Sequence, residues 1–547
     1  MIAATGPSYS RTAASTAQSL AARAFSIALA MVLVFGAIGT QLIRLALKGQ
    51  VEPQISMSRP LTESNWRPDI VDRHGRLLAT DIEAPTLYAD PSLITDVDEV
   101  VERLFEVFPD LNVDEMRRLL SERNRRFVRI RRGLAPATAQ RVHNFGLPGI
   151  AFRPEPKRVY PNATLAGHIL GHVNGDNQGT SGIERFIDQR ETASVISGED
   201  RDAVRLSIDM AVQHAVASEL RDAMARFKAA GASGLVLDVN TGELLAAASL
   251  PDVDPAIREQ SLDQARIDKI SDGVYELGSI FKAVTVAMAL EAGTSNLDKI
   301  YDVRKPLRVG SYTIRDLHPV GRPLSVRDIF IHSSNVGAGM MALEAGTDHQ
   351  RAFLKRLGLT EPMRTEAGAV AAPLLPSRWG KTETITIAYG HGMAVTPLQF
   401  AAAAATLVNG GWQVKPTLQM VEGGSVVRTE RLIREETSDA IRELMRRNVT
   451  SPHGTGRRAE VQGYEIGGKT GTAELPGRGG YREKDVISSF LAAFPMDAPR
   501  YLVLISLYEP RPTEANDDRI GGGITAAPVA GRTIARIAPL LDVLPKN

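Results

Sequence analysis

Five strand-patterned segments constrain most tightly what this chain can fold into, because they fall in two widely separated groups. Residues 234–239 and 243–249 are apolar runs around Asn240-Thr241-Gly242, which predicts a β-hairpin. Residues 463–473, 486–494 and 501–508 read as three further consecutive strands. Between the groups lie Ala-rich or amphipathic helical segments such as 398–408 and 437–447, and 525–541 has helical spacing after the last strand. A sheet whose first two strands precede the helices, and whose last three follow them, predicts an α+β domain with an antiparallel five-stranded sheet flanked by helices. A helix entry capped by Ser207 or Asp209, running to about Lys228, opens this domain, assigned to 206–547.

The chain before it divides by composition. Residues 24–43 are uncharged and mostly apolar between Arg23 and Arg44. About 20 helical residues at ~1.5 Å each span a ~30 Å hydrocarbon core. The expectation is an uncleaved transmembrane anchor with 1–23 as a cytoplasmic tail. The alternative is a cleaved signal peptide with Ala37-Ile38-Gly39 at its cleavage site, although the run is long for an apolar core of about 7–15 residues. Residues 44–66, polar and broken by Pro53 and Pro60, form a linker. Residues 67–205 are read as an elongated α+β pedestal. It contains a hairpin with Ile70-Val71 and Leu77-Leu78 around the turn 72–75, a helical pattern over 98–122, and a Gly-rich loop at 174–182. His168 and His172 are spaced to share a helix face as metal ligands. With no third ligand nearby and glycines beside them, they read as structural histidines.

With 547 residues the chain is long enough for two or three domains. Its 43% hydrophobic and 23% charged content excludes wholesale disorder. A net charge of +1 gives no bulk attraction to nucleic acid. The absence of cysteine excludes disulfides, thiol catalysis and cysteine-ligated metal.

Chemistry enters at Tyr275-Glu276-Leu277-Gly278-Ser279-Ile280-Phe281-Lys282. Helix-forming residues follow to Glu291, and Gly293 sits where a helix stops, which puts Ser279 in a first turn. Residues three apart share a helix face, so the Lys282 amine reaches the Ser279 hydroxyl. A serine needs a base to become a nucleophile, and a desolvated neutral lysine is one. Alone, the tetrapeptide is more often a surface helix start. Ser333-Ser334-Asn335 alone reads as a turn or cap, and Lys469-Thr470-Gly471-Thr472 as an edge-strand bend. Their joint occurrence in this order is the pattern of penicillin-recognising serine acyl-transferases.

With these motifs the chain resembles the class B penicillin-binding proteins over nearly its whole length, and within them the division-specific branch. Supporting stretches are 275–282, 332–335 and 389–399. Pro68 departs from the family hairpin, which often has Gly there. The resemblance implies a peptidoglycan D,D-transpeptidase acting on stem peptides ending in D-Ala-D-Ala, and a target of β-lactams. Ser279 would be the nucleophile, Lys282 its base, Ser333 a proton relay, and Asn335 an orienting group. Lys469 and Thr470 would hold the terminal carboxylate, and Gly471 would let the substrate backbone lie close. The N–H groups of Ser279 and Thr472 would form the oxyanion hole. No metal or cofactor is needed. The implied location is the inner membrane, by one helix, with the bulk of the chain on the periplasmic side at the division site. The implied partners are a septal glycosyltransferase and other division proteins. An elongation-specific relative, a hydrolase on the same fold, and a non-catalytic β-lactam sensor or septal scaffold remain as alternatives.

Overall fold

The computed structural model describes residues 25–26, 28–41, 66–197 and 202–546, apart from 311, 422, 424, 425, 427, 478, 479 and 515–518. The chain separates into two units, 1–65 and 66–547. In the first, residues 28–41 are helical. Residues 24, 27, 42 and 43 of the expected anchor, the tail 1–23 and the linker to residue 65 lie outside the described residues. Among the described residues no helix is long and apolar enough to cross a membrane.

The second unit opens on the expected hairpin. Strand β1 (Ile70–Val71) pairs antiparallel with β2 (Leu77–Ala89). Asp72 builds the turn: one oxygen accepts the N–H groups of His74 at 2.9 Å and Arg76 at 2.8 Å. Its other oxygen accepts the Met210 N–H at 3.2 Å, which fastens the hairpin to the start of the following domain. The single helix expected over 98–122 is instead two, α1 (Val97–Val107) and α2 (Val113–Ser121). Pro109 disfavours a continuous helix. Each helix has its own side-chain cap, Asp96 on Asp98 and Glu99, and Asn112 on Glu115. Strands β3 (Val128–Arg131) and β4 (Ile150–Val159), with α3 (Pro136–His143) between them, both pair with β2.

A short helix, α4 (Gly167–Leu170), stops at Gly171, whose φ is +71°. The two histidines therefore do not share a helix face. His172 instead turns its Nδ1 to Ser181 Oγ at 2.9 Å. Helix α5 (Gly182–Ser197) then brings in Glu184, fully buried between two arginines. Arg67 Nε donates to it at 2.9 Å and Arg158 Nε at 2.7 Å. Strand β5 (Val204–Arg205) closes this region by pairing parallel with β1.

Of the two capping candidates for α6 (Met210–Phe227), Asp209 caps it, accepting from Ala211 and Val212. Ser207 donates to the Leu244 carbonyl instead. Strands β6 (Gly231–Asp238) and β7 (Leu244–Leu250) form the expected hairpin. The helical stretch supplies α7 (Lys282–Glu291), α8 (Val326–His332), α9 (Asn335–Ala345), α10 (Pro397–Val408) and α11 (Glu435–Thr450). Strands β8 (Gly467–Gly477), β9 (Gly480–Phe494) and β10 (Tyr501–Tyr508) follow, then α12 (Ala526–Ile537). The strand expected from 463 begins four residues later, because Val461 and Tyr464 bridge across a tight turn at Gly463, φ +85°. The sheet runs β8-β9-β10-β6-β7 with every pair antiparallel.

Alternation along β10 explains the layering. Leu502 and Leu504 join a core with Val284 of α7 and Phe400 of α10. Val503 and Ile505 join the opposite core, with Val216 and Leu220 of α6 and Val529 and Ile534 of α12. The sheet is thus covered on both faces. Among the described residues strand β8 is an edge, with β9 on one side only, and an edge strand carries backbone groups free to meet another chain.

Candidate active site

The open edge of β8 faces the turn that carries Ser279. Residues Gly278–Phe281 form one 3-10 turn, and α7 starts at Lys282, so the serine stands just ahead of the α-helix. Three backbone approaches lock this turn. Gly278, at φ +58°, donates its N–H to the Gly390 carbonyl at 3.1 Å, and a Cβ there would sit inside 3.0 Å of the Thr472 carbonyl. A Cβ on Gly471 would lie 2.6 Å from the Leu277 carbonyl and 3.0 Å from Ile280 Cγ2. Gly471 thus lets β8 pack against the Ser279 turn, a demand independent of any substrate. Glu276 holds the 389–393 loop in place by accepting the Gly392 N–H at 2.7 Å.

The second motif is placed by a break between helices. Ser333 ends α8 in the left-handed region, φ +59°, and Ser334 caps α9 by accepting the Gly337 N–H at 3.0 Å. Asp316 clamps this corner, accepting from Ser334 Oγ at 2.7 Å and from the Val336 N–H at 2.9 Å.

All three motifs converge on two buried amines. Lys282 Nζ lies 3.0 Å from Ser279 Oγ, 3.0 Å from Ser333 Oγ and 2.8 Å from Asn335 Oδ1, and it also donates to the Ser333 carbonyl. Lys469 Nζ lies 3.0 Å from the same Ser333 Oγ, and 3.2 Å from the Thr470 carbonyl. Their side chains are closed off from solvent, Lys282 at 1% exposure and Lys469 at 0%. Burial holds the Lys282 amine well below the ordinary lysine range. The charge of Lys469 adds to that effect and Asp316 opposes it. Burial alone brings Lys469 down to about 7.

A neutral amine has two hydrogens and one lone pair. Asn335 Oδ1 and the Ser333 carbonyl can only accept, so they take the hydrogens of Lys282 and leave its lone pair for a serine proton. Ser333 Oγ, between the two amines, is a hydroxyl through which a proton can pass. Thr472 Oγ1 accepts the Gly522 N–H at 3.0 Å, which leaves its proton available.

Every residue expected from the motifs is therefore brought to one place: Ser279, Lys282, Ser333, Asn335, Lys469, Thr470, Gly471 and Thr472. Sequence reasoning missed Asp316, Asn448, Thr455 and Gly522. Glu276 and Gly390 lie inside the family-like stretches 275–282 and 389–399, where the sequence gives them no role. Asp316 carries no local signal, because its partners are about 20 residues away in the chain.

Comparison with known proteins gives two family matches. Residues 232–534 match the family described as the penicillin-binding protein transpeptidase domain, and residues 63–191 the penicillin-binding protein dimerisation domain. The chain is similar to the probable peptidoglycan D,D-transpeptidase FtsI of Caulobacter vibrioides, at 37% identity over 88% of this chain and 82% of the relative. It is also similar to the peptidoglycan D,D-transpeptidase FtsI of Escherichia coli K12, at 29% identity over 88% and 85%. A third relative is the probable peptidoglycan D,D-transpeptidase PenA of Neisseria gonorrhoeae, at 29% over 91% and 88%.

Proposed function

The chain belongs to the class B penicillin-binding proteins and is an FtsI-type peptidoglycan D,D-transpeptidase, and we propose that it cross-links stem peptides through an acyl-enzyme on Ser279. Ser279 Oγ attacks the carbonyl of the penultimate D-Ala as Lys282 takes its proton. The amide C–N bond breaks, and the departing D-Ala amine receives a proton through Ser333. An amine of a neighbouring stem peptide then attacks the ester, which restores Ser279. Lys469, Thr470 and Thr472 hold the terminal carboxylate, and the N–H groups of Ser279 and Thr472 meet the developing oxyanion. Each such donor contributes roughly 3 kcal/mol in related sites.

The observation that carries this reading is the position of one buried amine, Lys282 Nζ, within 3.0 Å of both Ser279 Oγ and Ser333 Oγ, with its hydrogens occupied by pure acceptors. The test is turnover of a stem-peptide thioester in the presence of an acceptor amine. Transfer to the amine is expected. Hydrolysis alone would make the protein a hydrolase, and a stable adduct without turnover would make it a sensor.

Residues 24–43 anchor the chain in the inner membrane, 67–205 form the pedestal and 206–547 the transpeptidase domain, on the periplasmic side at the septum. A septal glycosyltransferase bound through the pedestal would raise the effective concentration of donor and acceptor strands. Depletion should give filaments without septa. Round cells that divide normally would favour the elongation role.

A further inference from the structure

Asn448 lies on α11, outside every motif, and is fully buried. Its amide orientation is unambiguous. Nδ2 donates to the Gly468 carbonyl at 2.9 Å, a group that only accepts, and Oδ1 accepts the Thr455 N–H at 3.1 Å, a group that only donates. Oδ1 also takes the Thr455 hydroxyl proton at 3.1 Å. Thr455 has one proton, so its oxygen must accept at its other bond, the one from Thr470 Oγ1 at 2.7 Å. The direction of the chain is therefore fixed: Thr470 donates to Thr455, which donates to Asn448.

We propose that Asn448 and Thr455 are positioning residues for the carboxylate pocket, forming a hydroxyl relay that reverses when a carboxylate arrives beside Lys469. This rests on the transpeptidase reading, which supplies a carboxylate-ended ligand. Thr470 turns its proton from Thr455 to the carboxylate. Thr455 then swings its own proton from Asn448 to the Thr470 oxygen. Asn448 Oδ1 keeps the Thr455 N–H throughout, so no buried group loses its last partner. A hydroxyl that accepts one bond donates a stronger one, so the reversed relay reinforces Thr470 at the carboxylate. Asn448 also ties the end of α11 to Gly468, next to Lys469, which keeps the relay in register with the amine.

The experiment compares acylation of Ser279 by benzylpenicillin and by its methyl ester, which lacks the negative charge, in the full-length protein. Thr455→Val preserves shape and removes the relay. Its rate with benzylpenicillin should fall about tenfold, while its rate with the ester falls less than threefold. Thr455→Ser should restore the wild-type ratio, and Asn448→Leu should shift the ratio in the same direction as Thr455→Val. Equal losses with both reagents would mean a merely structural role and overturn the proposal, as would an unchanged or increased preference for the anion. Failure of benzylpenicillin to label wild-type Ser279 would overturn the transpeptidase reading itself, an outcome distinct from either.

Discussion

Gly278 and Thr472 meet through backbone alone: the Thr472 carbonyl occupies the space a Cβ on residue 278 would need. The nucleophile turn and the edge strand are thereby held at one separation. Gly278→Ala should break both conditions. A positive φ costs a residue with a Cβ about 1–2 kcal/mol, and the clash displaces the two amides from one another. Penicillin labelling should fall by about a hundredfold, with only a modest loss of thermal stability. Labelling at the wild-type rate would show that the contact does not govern the site.

Lys282→Arg keeps a cation but supplies no neutral amine near neutral pH. Acylation should fall by about three orders of magnitude while the circular dichroism spectrum is retained. Intact-mass measurement after penicillin treatment, with peptide mapping to Ser279, reads the result.

The two lysines predict opposite limbs of a pH profile. Lys282 acts as a base only when neutral, so acylation should decline as pH falls through its depressed pKa. Lys469 loses its charge above about 7, so binding of anionic ligands should weaken on the alkaline side. Stability has its own sign. Lys469 binds a proton less readily folded than unfolded, so its burial penalty is full below about 7 and shrinks as pH rises toward 10.5. Stability should therefore rise over that window, and Lys469→Met should flatten the rise. A slope unchanged in Lys469→Met would contradict the assignment.

Glu184 tests the first region of the fold. Removing it takes one carboxylate from each of the buried Arg67 and Arg158, which keep Asp188 and Asp81 as their other partners. Breaking a buried pair typically costs about 3–5 kcal/mol. Glu184→Ala should lower the thermal midpoint measurably and expose the region to limited proteolysis. Unchanged unfolding would show that this network is incidental.

A chain beginning near Gln50 should be soluble and bind penicillin, because every buried contact described for the second unit lies beyond residue 65. The full-length protein should resist extraction by high salt. A mature N-terminus near Thr40 would instead identify a cleaved signal peptide.

The sheet and the three motifs were legible because continuous apolar runs and fixed local spacings are written in adjacent residues. The break within 98–122 is hidden because the apolar spacing continues across Pro109, while the cap that restarts the helix, Asn112, is a single polar residue. The strand expected from 463 starts at Gly467 because Gly463 and Tyr464 belong to a turn that only pairing reveals. Asp316, Thr455 and Asn448 were invisible for another reason. Asp316 and Thr455 bond motif segments that the fold brings near, Asn448 bonds Thr455 and Gly468, and nothing in their own neighbourhoods records it.

Strand β10 pairs with β6, so Leu504 lies opposite Leu235, a partner that leaves the ribosome about 270 residues earlier. At roughly 5–20 residues per second, the first hairpin waits on the order of 15–50 s for the strand that completes it. Throughout that interval β6 offers an open apolar edge, and contacts this distant in sequence form slowly once both partners exist. The domain's assembly is therefore a late, nearly all-or-none event. Truncation anywhere before residue 501 would leave a hairpin seeking another chain to pair with.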